Sequence, residues 1–476
     1  MIKHFLWIGL FACIFPSTLS AQEQPKRPNI VFILADDLGY GDVGFNGQEL
    51  IKTPHIDRLA EEGTRFNQFY AGTAVCAPSR SALLSGQHTG HTFIRGNLGV
   101  EPEGQYPIAD SVLTMAEALK AVGYTTGAFG KWGLGPVGSE GDPNKQGFDQ
   151  FYGYNCQSLA HRYYPSHLWD NAQKVVLKEN GDLEYNKVYA PDLIQEKALA
   201  FIEEHQQEPF FLFLPYILPH AELLVPNDSI FQYYKGKFPE TPYQGRDYGK
   251  DAHPTGYASQ EYPHAAFAAM VSRLDLYVGQ VLDKLAALGL DENTVVVFSS
   301  DNGPHQEGGA DPAFFNSAAG LRGLKRDLYE GGIRVPLVVR WPNVVPAQQQ
   351  QEFVGAFWDL LPTFTDLAGA QPPQNIDGIS LVSALLGKPN QPEHPYLYWE
   401  FHEEGGKQAV RYGKWKGIRL NVAADKNAPI ALYDLSSDLK EEHDLSAQQP
   451  DVVKAISDIM QAEHVESDLF HWQHKK

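Results

Sequence analysis

Two pairs of residues in this chain of 476 stand where carboxylate chemistry would be placed. Asp36 and Asp37 follow directly on the apolar run Asn29 to Leu34, and Asp301 and Asn302 follow on Thr294 to Phe298. Both runs read as buried strands, and in an open α/β sheet the reactive crevice lies at the carboxyl ends of the strands. If the two strands are neighbours, three carboxylates and one amide oxygen meet in one place. Like charges that close repel unless a counter-charge offsets them. A hard divalent cation with oxygen ligands does this, and the lack of clustered His or Cys ligands points to calcium, or else magnesium, over zinc. Two unrelated polar strand ends give the same letters, and on their own the pairs fit either account.

A third segment is Cys76-Ala77-Pro78-Ser79-Arg80, followed by a helix-like start from Ser81 to Leu84. Cys76 then lies near a helix N-terminus, where the macrodipole favours negative charge. An isolated cysteine is ordinarily a buried apolar filler. Besides Cys13 near the N-terminus, the chain has only Cys76 and Cys156. At most one disulfide is available to the mature chain, so stability rests on the core. Cys156 reads as an unreactive buried thiol.

The elements that must position these residues alternate. Apolar runs at Tyr124 to Phe129, Pro209 to Leu214 and Leu337 to Arg340 read as further strands. Leu113 to Val122 (capped by Ser111 and stopped by Gly123), Leu193 to Ile202 and Ala265 to Leu288 read as helices. This order predicts an α/β fold, a large, mostly parallel sheet sandwiched by helices. Near Gln371 to Asp377 the texture turns to Pro, Gln and Asn. Beyond it, Tyr396 to Phe401, Lys414 to Arg419 and Leu432 to Asp434 read as short strands, and Asp451 to Glu463 as a closing helix. The expected organisation is a catalytic unit over residues 22–375 and a smaller α+β unit over residues 376–476.

Residues 1–21 read as a signal peptide: Lys3, an apolar run from Phe5 to Phe15, then small residues ending at Ala21. The implied location is periplasmic or secreted. Cys13 does not read as a lipidation site, because bulky Phe11 precedes it and the apolar run continues past it. No other segment reads as a membrane span. The formal charge is −20, and loss of Lys3 with the leader makes it −21. That excludes nucleic-acid binding by bulk electrostatics. An anionic substrate must then be captured by a local cationic pocket against the global field.

The spacing Cys76-x-Pro78-x-Arg80, followed by Leu83-x-Ser85-Gly86, resembles the signature of the type I formylglycine-dependent sulfatases, arylsulfatase-like members of the alkaline phosphatase superfamily. The resemblance runs through nearly the whole mature chain. It includes Asn29 to Asp42, Thr53-Pro54-His55-Ile56-Asp57, Gly130-Lys131-Trp132, Ser300-Asp301-Asn302-Gly303, Leu321 to Lys325 with Tyr329 to Pro336, and Leu432-Tyr433-Asp434-Leu435. It implies an alkaline phosphatase-like fold, and that Cys76 is converted to 3-oxoalanine (formylglycine) by a maturase. It further implies that Asp36, Asp37, Asp301, Asn302 and the converted Cys76 hold one calcium. Arg80 would support the nucleophile and the metal site, Lys131 and Lys325 would clamp the sulfate, and His220 would stand near the leaving oxygen. One departure is plain: many relatives read Gly-Lys-Trp-His-Leu-Gly, whereas this chain has Gly133 in place of that histidine. His305 and Glu307 are the nearest stand-ins in sequence terms, although both also read as pocket lining.

For the substrate, Gln157, His161, His305 and His402 are candidates, with Glu400 and Glu403 beside the last. Each reads equally as a solvated loop residue. The leading expectation is a sulfatase of sulfated saccharides, with galactose-type sugars suggested by analogy. Two others stand beside it: a phosphodiesterase or phosphonate hydrolase of the same superfamily, and a non-catalytic binder of sulfated glycans in which Cys76 stays a thiol.

Overall fold

Asn29–Ala35 is buried along its whole length, as befits a strand covered on both faces. Alternate residues of this strand enter different cores. Val31, Ile33 and Ala35 join one apolar cluster, and Ile30, Phe32 and Leu34 join the other. The computed structural model describes residues 27–101 and 104–474, so the signal peptide read from residues 1–21 lies outside them.

The strand is central in a ten-stranded sheet. On one side lie Thr294–Ser300, Leu337–Arg340, Thr64–Tyr70 and Gln349–Ala356. On the other lie Phe210–Pro215, Thr125–Lys131, Gln150–Tyr154, His167–Asp170 and Gln173–Val176. The five strands from Thr294–Ser300 through Gln150–Tyr154 are all parallel. The flanks are antiparallel at Leu337–Arg340 on one side and at the His167–Asp170 hairpin on the other. The expected parallel character therefore holds in the middle of a mixed sheet.

Helices cover both faces. Ala190–Glu204 and Pro263–Ala287 pack into the first cluster, with Ile56 and Leu59 of Pro54–Glu61. Cys76–Ser85, Met115–Lys120 and Leu360–Leu367 pack into the second. Two sequence expectations need correction. The helix read as Leu113 to Val122 starts at Met115, because Thr114 and Glu117 form a reciprocal capping box that displaces Ser111 as the cap. Pro263–Ala287, against the expectation that no further segment could span a bilayer, has the length and composition to do so. It is instead a core helix, with 83% of its most apolar window buried in the protein.

The last part of the chain forms a separate four-stranded antiparallel sheet, Leu397–Phe401, Lys407–Tyr412, Trp415–Leu420 and Ile430–Asp434 in that order. Helix Pro450–Glu463 packs on it through Ile456 and Met460. The two sheets share a seam of Tyr70, Val75 and Trp358 with Trp399, Phe401 and Tyr433. Buried charges cross the same seam. Lys416 Nζ lies 2.8 Å from Glu330 Oε1 and 3.3 Å from Glu441 Oε1. Tyr70 donates to Glu330 Oε2 at 2.9 Å. Removing one member of such a group leaves an uncompensated buried charge, at a cost of about 3–5 kcal/mol. The small sheet is thus held against the loops that carry the nucleophile helix and Lys325.

Candidate active site

The register pairs Ala35 with Ser300, so the two central parallel strands end side by side. Their next residues, Asp36 with Asp37 and Asp301 with Asn302, come together as the sequence required. Asp37 takes a left-handed backbone, φ 64°, and its amide donates to Asp301 Oδ1 at 3.1 Å. Asn302 Nδ2 donates to Asp37 Oδ1 at 2.7 Å and to the Gly303 carbonyl at 2.9 Å. Its Oδ1 is buried and meets no hydrogen-bond donor among the described residues.

Cys76 is the first residue of a ten-residue helix that is buried throughout. Its Sγ lies 3.3 Å from Asp36 Oδ1 and 3.9 Å from Asp37 Oδ1. Burial, reinforced by the Asp36 charge, pushes the thiol well above its usual range. An unmodified Cys76 is therefore a protonated, weakly nucleophilic thiol. Arg80 lies one helical turn on, so it shares the Cys76 face. Its Nε and one terminal nitrogen bind Asp301 Oδ2 at 3.1 and 2.9 Å, and the other donates to the Lys131 carbonyl.

Lys131 ends the Thr125–Lys131 strand and places its Nζ 2.7 Å from Asp36 Oδ2. From the other side, Lys325 Nζ reaches Asp37 Oδ2 at 2.7 Å, His220 Nε2 at 3.0 Å and Glu307 Oε2 at 3.4 Å. Three cations thus enclose three carboxylates, all with side chains 5% exposed or less. Burial opposes the charge on Asp36, yet the cations Lys131, Arg80 and Lys325 hold its carboxyl well below the usual range. Asp301 is driven the other way, to about 7, by burial and the neighbouring Asp36. Burial and the adjacent Lys325 ammonium push His220 well down, so its ring is neutral. With Nδ1 on the Ala221 carbonyl, Nε2 is free to accept from Lys325.

The substrate candidates separate in space. His161 stacks on His220, ring centroids 4.9 Å apart and 3° from parallel, and burial pushes it down to about 3. Gln157 lies against Gly133: a Cβ built on Gly133 would meet Gln157 Cγ and Nε2, each at 3.4 Å. Gln157 Nε2 and His161 Nδ1 are buried with no hydrogen-bond partner among the described residues. His305 stacks 5.7 Å from His220 and bonds the Pro219 carbonyl through Nε2 at 3.1 Å. His402 is not brought into this group. Its Nε2 lies 2.6 Å from the buried Glu400 carboxylate, and its ring stacks on Trp472. Sequence reading missed Arg326, which pairs with Glu307 at 2.5 Å beside Lys325. Its left-handed backbone, φ 77°, is unusual for a non-glycine residue, and no local sequence signal announces it.

Carboxyl strand ends, a helix N-terminus aimed at acidic oxygens and a ring of fixed cations define a hydrolase site for an anionic ester. Comparison with known proteins gives its class. Residues 28–370 match the family described as Sulfatase, and residues 323–466 match the family described as N-sulphoglucosamine sulphohydrolase, C-terminal. Arylsulfatase A of Homo sapiens is 32% identical over 483 residues, 91% of this chain and 87% of the relative. The N-acetylgalactosamine-6-O-sulfatase of Bacteroides thetaiotaomicron is 28% identical, covering 92% and 94%. The crystal structure of Ps i-CgsB in complex with k-i-k-neocarrahexaose superposes with a TM-score of 0.77 at 28% identity, over 94% of this chain and 95% of that one. The chain belongs to the sulfatase family. Its activity is that of a sulfuric ester hydrolase.

Proposed function

We propose that this sulfatase acts on sulfated carbohydrates, through a formylglycine made from Cys76 and one calcium held by Asp36, Asp37, Asp301, Asn302 and the converted Cys76. The observation that carries the reading is the meeting of Cys76 Sγ with the strand-end carboxylates, beside a buried Asn302 Oδ1 that lacks a donor. An unpaired buried acceptor among carboxylates fits a hard cation, and the all-oxygen set fits calcium better than zinc. When bound, the metal supplies positive charge to the sulfate oxygens. The aldehyde hydrate supplies a geminal hydroxyl as nucleophile, and carbonyl reformation as a route for sulfate to leave.

The chain's own residues do the rest. Lys131 and Lys325 offer buried ammonium groups to the sulfate oxygens, in a site where charge is little screened. Arg80 fixes Asp301 by two hydrogen bonds and keeps it facing the nucleophile. In the resting site Lys325 Nζ donates a hydrogen bond to His220 Nε2 and keeps its own proton, so His220 must take up a proton at Nε2 before it can act. His220 passes that proton to the leaving oxygen as general acid. Gln157, lying against Gly133, is placed to take up the space that a histidine would fill there, and offers its Nε2 as a sulfate donor with His161 beside it.

The carbohydrate reading draws on the relatives: one is named for a sulfated amino sugar, and another was solved with a hexaose. A galactose-type sugar follows by the same analogy, and the leader at residues 1–21 suits an exported enzyme. Assay of sulfate release from a panel of sulfated mono- and oligosaccharides tests it. Turnover confined to aryl sulfates sinks the substrate assignment while leaving the sulfatase intact. For the metal, Asp301→Ala is expected to lower calcium content and activity together, read by elemental analysis and turnover on the same preparation. Full activity after exhaustive chelation rejects the metal assignment.

A further inference from the structure

A cavity of about 570 Å³ opens between the C-terminal sheet, the segment after Lys325 and the chain near Gln473. Its size is that of a small-ligand pocket. Asp327, Tyr329, Glu403, Glu404 and Lys407 are among the residues that line it. Two short chains of contacts tie it to the catalytic group. Glu404 pairs with Arg326 at 3.8 Å, Arg326 with Glu307 at 2.5 Å, and Glu307 with Lys325 at 3.4 Å. Glu403 Oε1 accepts from the Asn97 amide at 2.9 Å, and Asn97 Oδ1 accepts from the Ala77 amide, next to Cys76, at 3.4 Å. The cavity therefore flanks the reacting centre on the side of the small sheet.

Its charge is one-sided. Lys407 is the only lysine or arginine among the described residues of the lining, and an ammonium has three donors. All three have partners: the Arg326 carbonyl at 2.7 Å, Asp327 Oδ1 at 3.3 Å and Glu404 Oε2 at 3.2 Å. Against Lys407 stand three carboxylates, Asp327, Glu403 and Glu404, while Tyr329, Asn421, Gln473 and His474 add neutral groups that both donate and accept. A sugar hydroxyl donates to a carboxylate, whereas a sulfate or uronate only accepts and carries a like charge. The catalytic group, with its three cations, has the opposite preference.

Resting on the carbohydrate reading, we propose that this cavity holds the sugar next to the sulfated one, and that its carboxylates select a neighbour bearing hydroxyls rather than a second anionic group. The discriminating residue most open to test is Glu404, whose side chain is 48% exposed and reaches the catalytic group through the partly exposed Arg326, by a contact as long as 3.8 Å. The experiment compares kcat/KM on a disaccharide carrying one sulfate with that on its analogue bearing a second sulfate on the adjoining ring. A sulfated monosaccharide and an aryl sulfate serve as references.

Glu404→Lys is expected to raise the disulfated-to-monosulfated ratio by about tenfold, the size of one like-charge contact at a wet surface removed and reversed. Glu404→Gln should move it the same way by less, and activity on the monosaccharide should stay within about twofold in both. A ratio unmoved in both variants, with the monosaccharide still turned over, overturns the subsite and leaves the carbohydrate reading standing. Wild-type turnover of the aryl sulfate with none of any sugar sulfate overturns both.

Discussion

Replacing Cys76 with alanine is expected to lower sulfate release by at least on the order of 10⁴, the scale seen when a covalent nucleophile is removed. The loss should come without loss of the fold or of most of the calcium affinity. Cys76 is the first residue of its helix, and alanine suits a helix. Asp36, Asp37, Asp301 and Asn302 remain to hold the cation, and Arg80 remains on Asp301. Three measurements on one preparation separate the cases: turnover, metal content, and denaturation midpoint. Low turnover with the other two preserved is the expected pattern. Near-wild-type turnover would falsify the nucleophile assignment. Mass spectrometry of the peptide holding Cys76 in the wild-type protein gives an independent check, since the reading requires an aldehyde there in place of a thiol.

The second large effect is expected at His220. A general acid matters most when the leaving alcohol is basic, as a sugar hydroxyl is. An aryl sulfate with an acidic phenol leaves with little protonation. His220→Ala should therefore cost on the order of 10² to 10⁴ in kcat on a sugar sulfate, and clearly less on a nitrophenyl sulfate. The structure adds a refinement. Because Lys325 donates to His220 Nε2, it positions that ring, and Lys325→Ala should show part of the same asymmetry between the substrates. Lys325 also reaches Asp37, so its loss should weaken sulfate binding in addition, on both substrates alike. Equal losses on the two esters in His220→Ala would reduce His220 to a positioning residue.

The central strands and the group at their ends were legible because they obey local rules. A strand buried on both faces must be a continuous apolar run, and the residue after it must lie at the sheet's reactive edge. Asp36 and Asp301 could be placed in that way before their adjacency was known. The antiparallel flanks could not be. Thr64–Tyr70, with sequence TRFNQFY, has its large apolar residues at Phe66, Phe69 and Tyr70 with neither a continuous run nor an alternation, and its partners Leu337–Arg340 and Gln349–Ala356 lie far along the chain. Lys407–Tyr412 escaped notice because KQAVRY carries two basic residues, Lys407 and Arg411, yet five of the six positions are buried. Their charges are met by Asp327 and Glu404 in one case and by Tyr70 and Gln68 in the other. Pairing at such distances leaves no periodic trace. For the same reason the Glu307–Arg326 pair and the Glu330–Lys416–Glu441 group were invisible, and so was the contact between Gln157 and Gly133.

The burial of Cys76 also sets an order of events in the life of the chain. The side chain is 1% exposed, in a helix covered along all ten residues, with the small sheet packed behind its entrance through Val75, Trp399 and Phe401. No catalyst of protein size can bring its own reactive groups to that sulfur once these surfaces have met. On the formylglycine reading, conversion of Cys76 would then precede closure, on a segment still extended and free of the residues that will later enclose it. A molecule that folds first is committed: it can bind its metal and adopt the native shape, yet it remains inert until it unfolds. On that reading the active fraction of any preparation is decided during synthesis, by competition between modification and folding, and not by conditions in the assay.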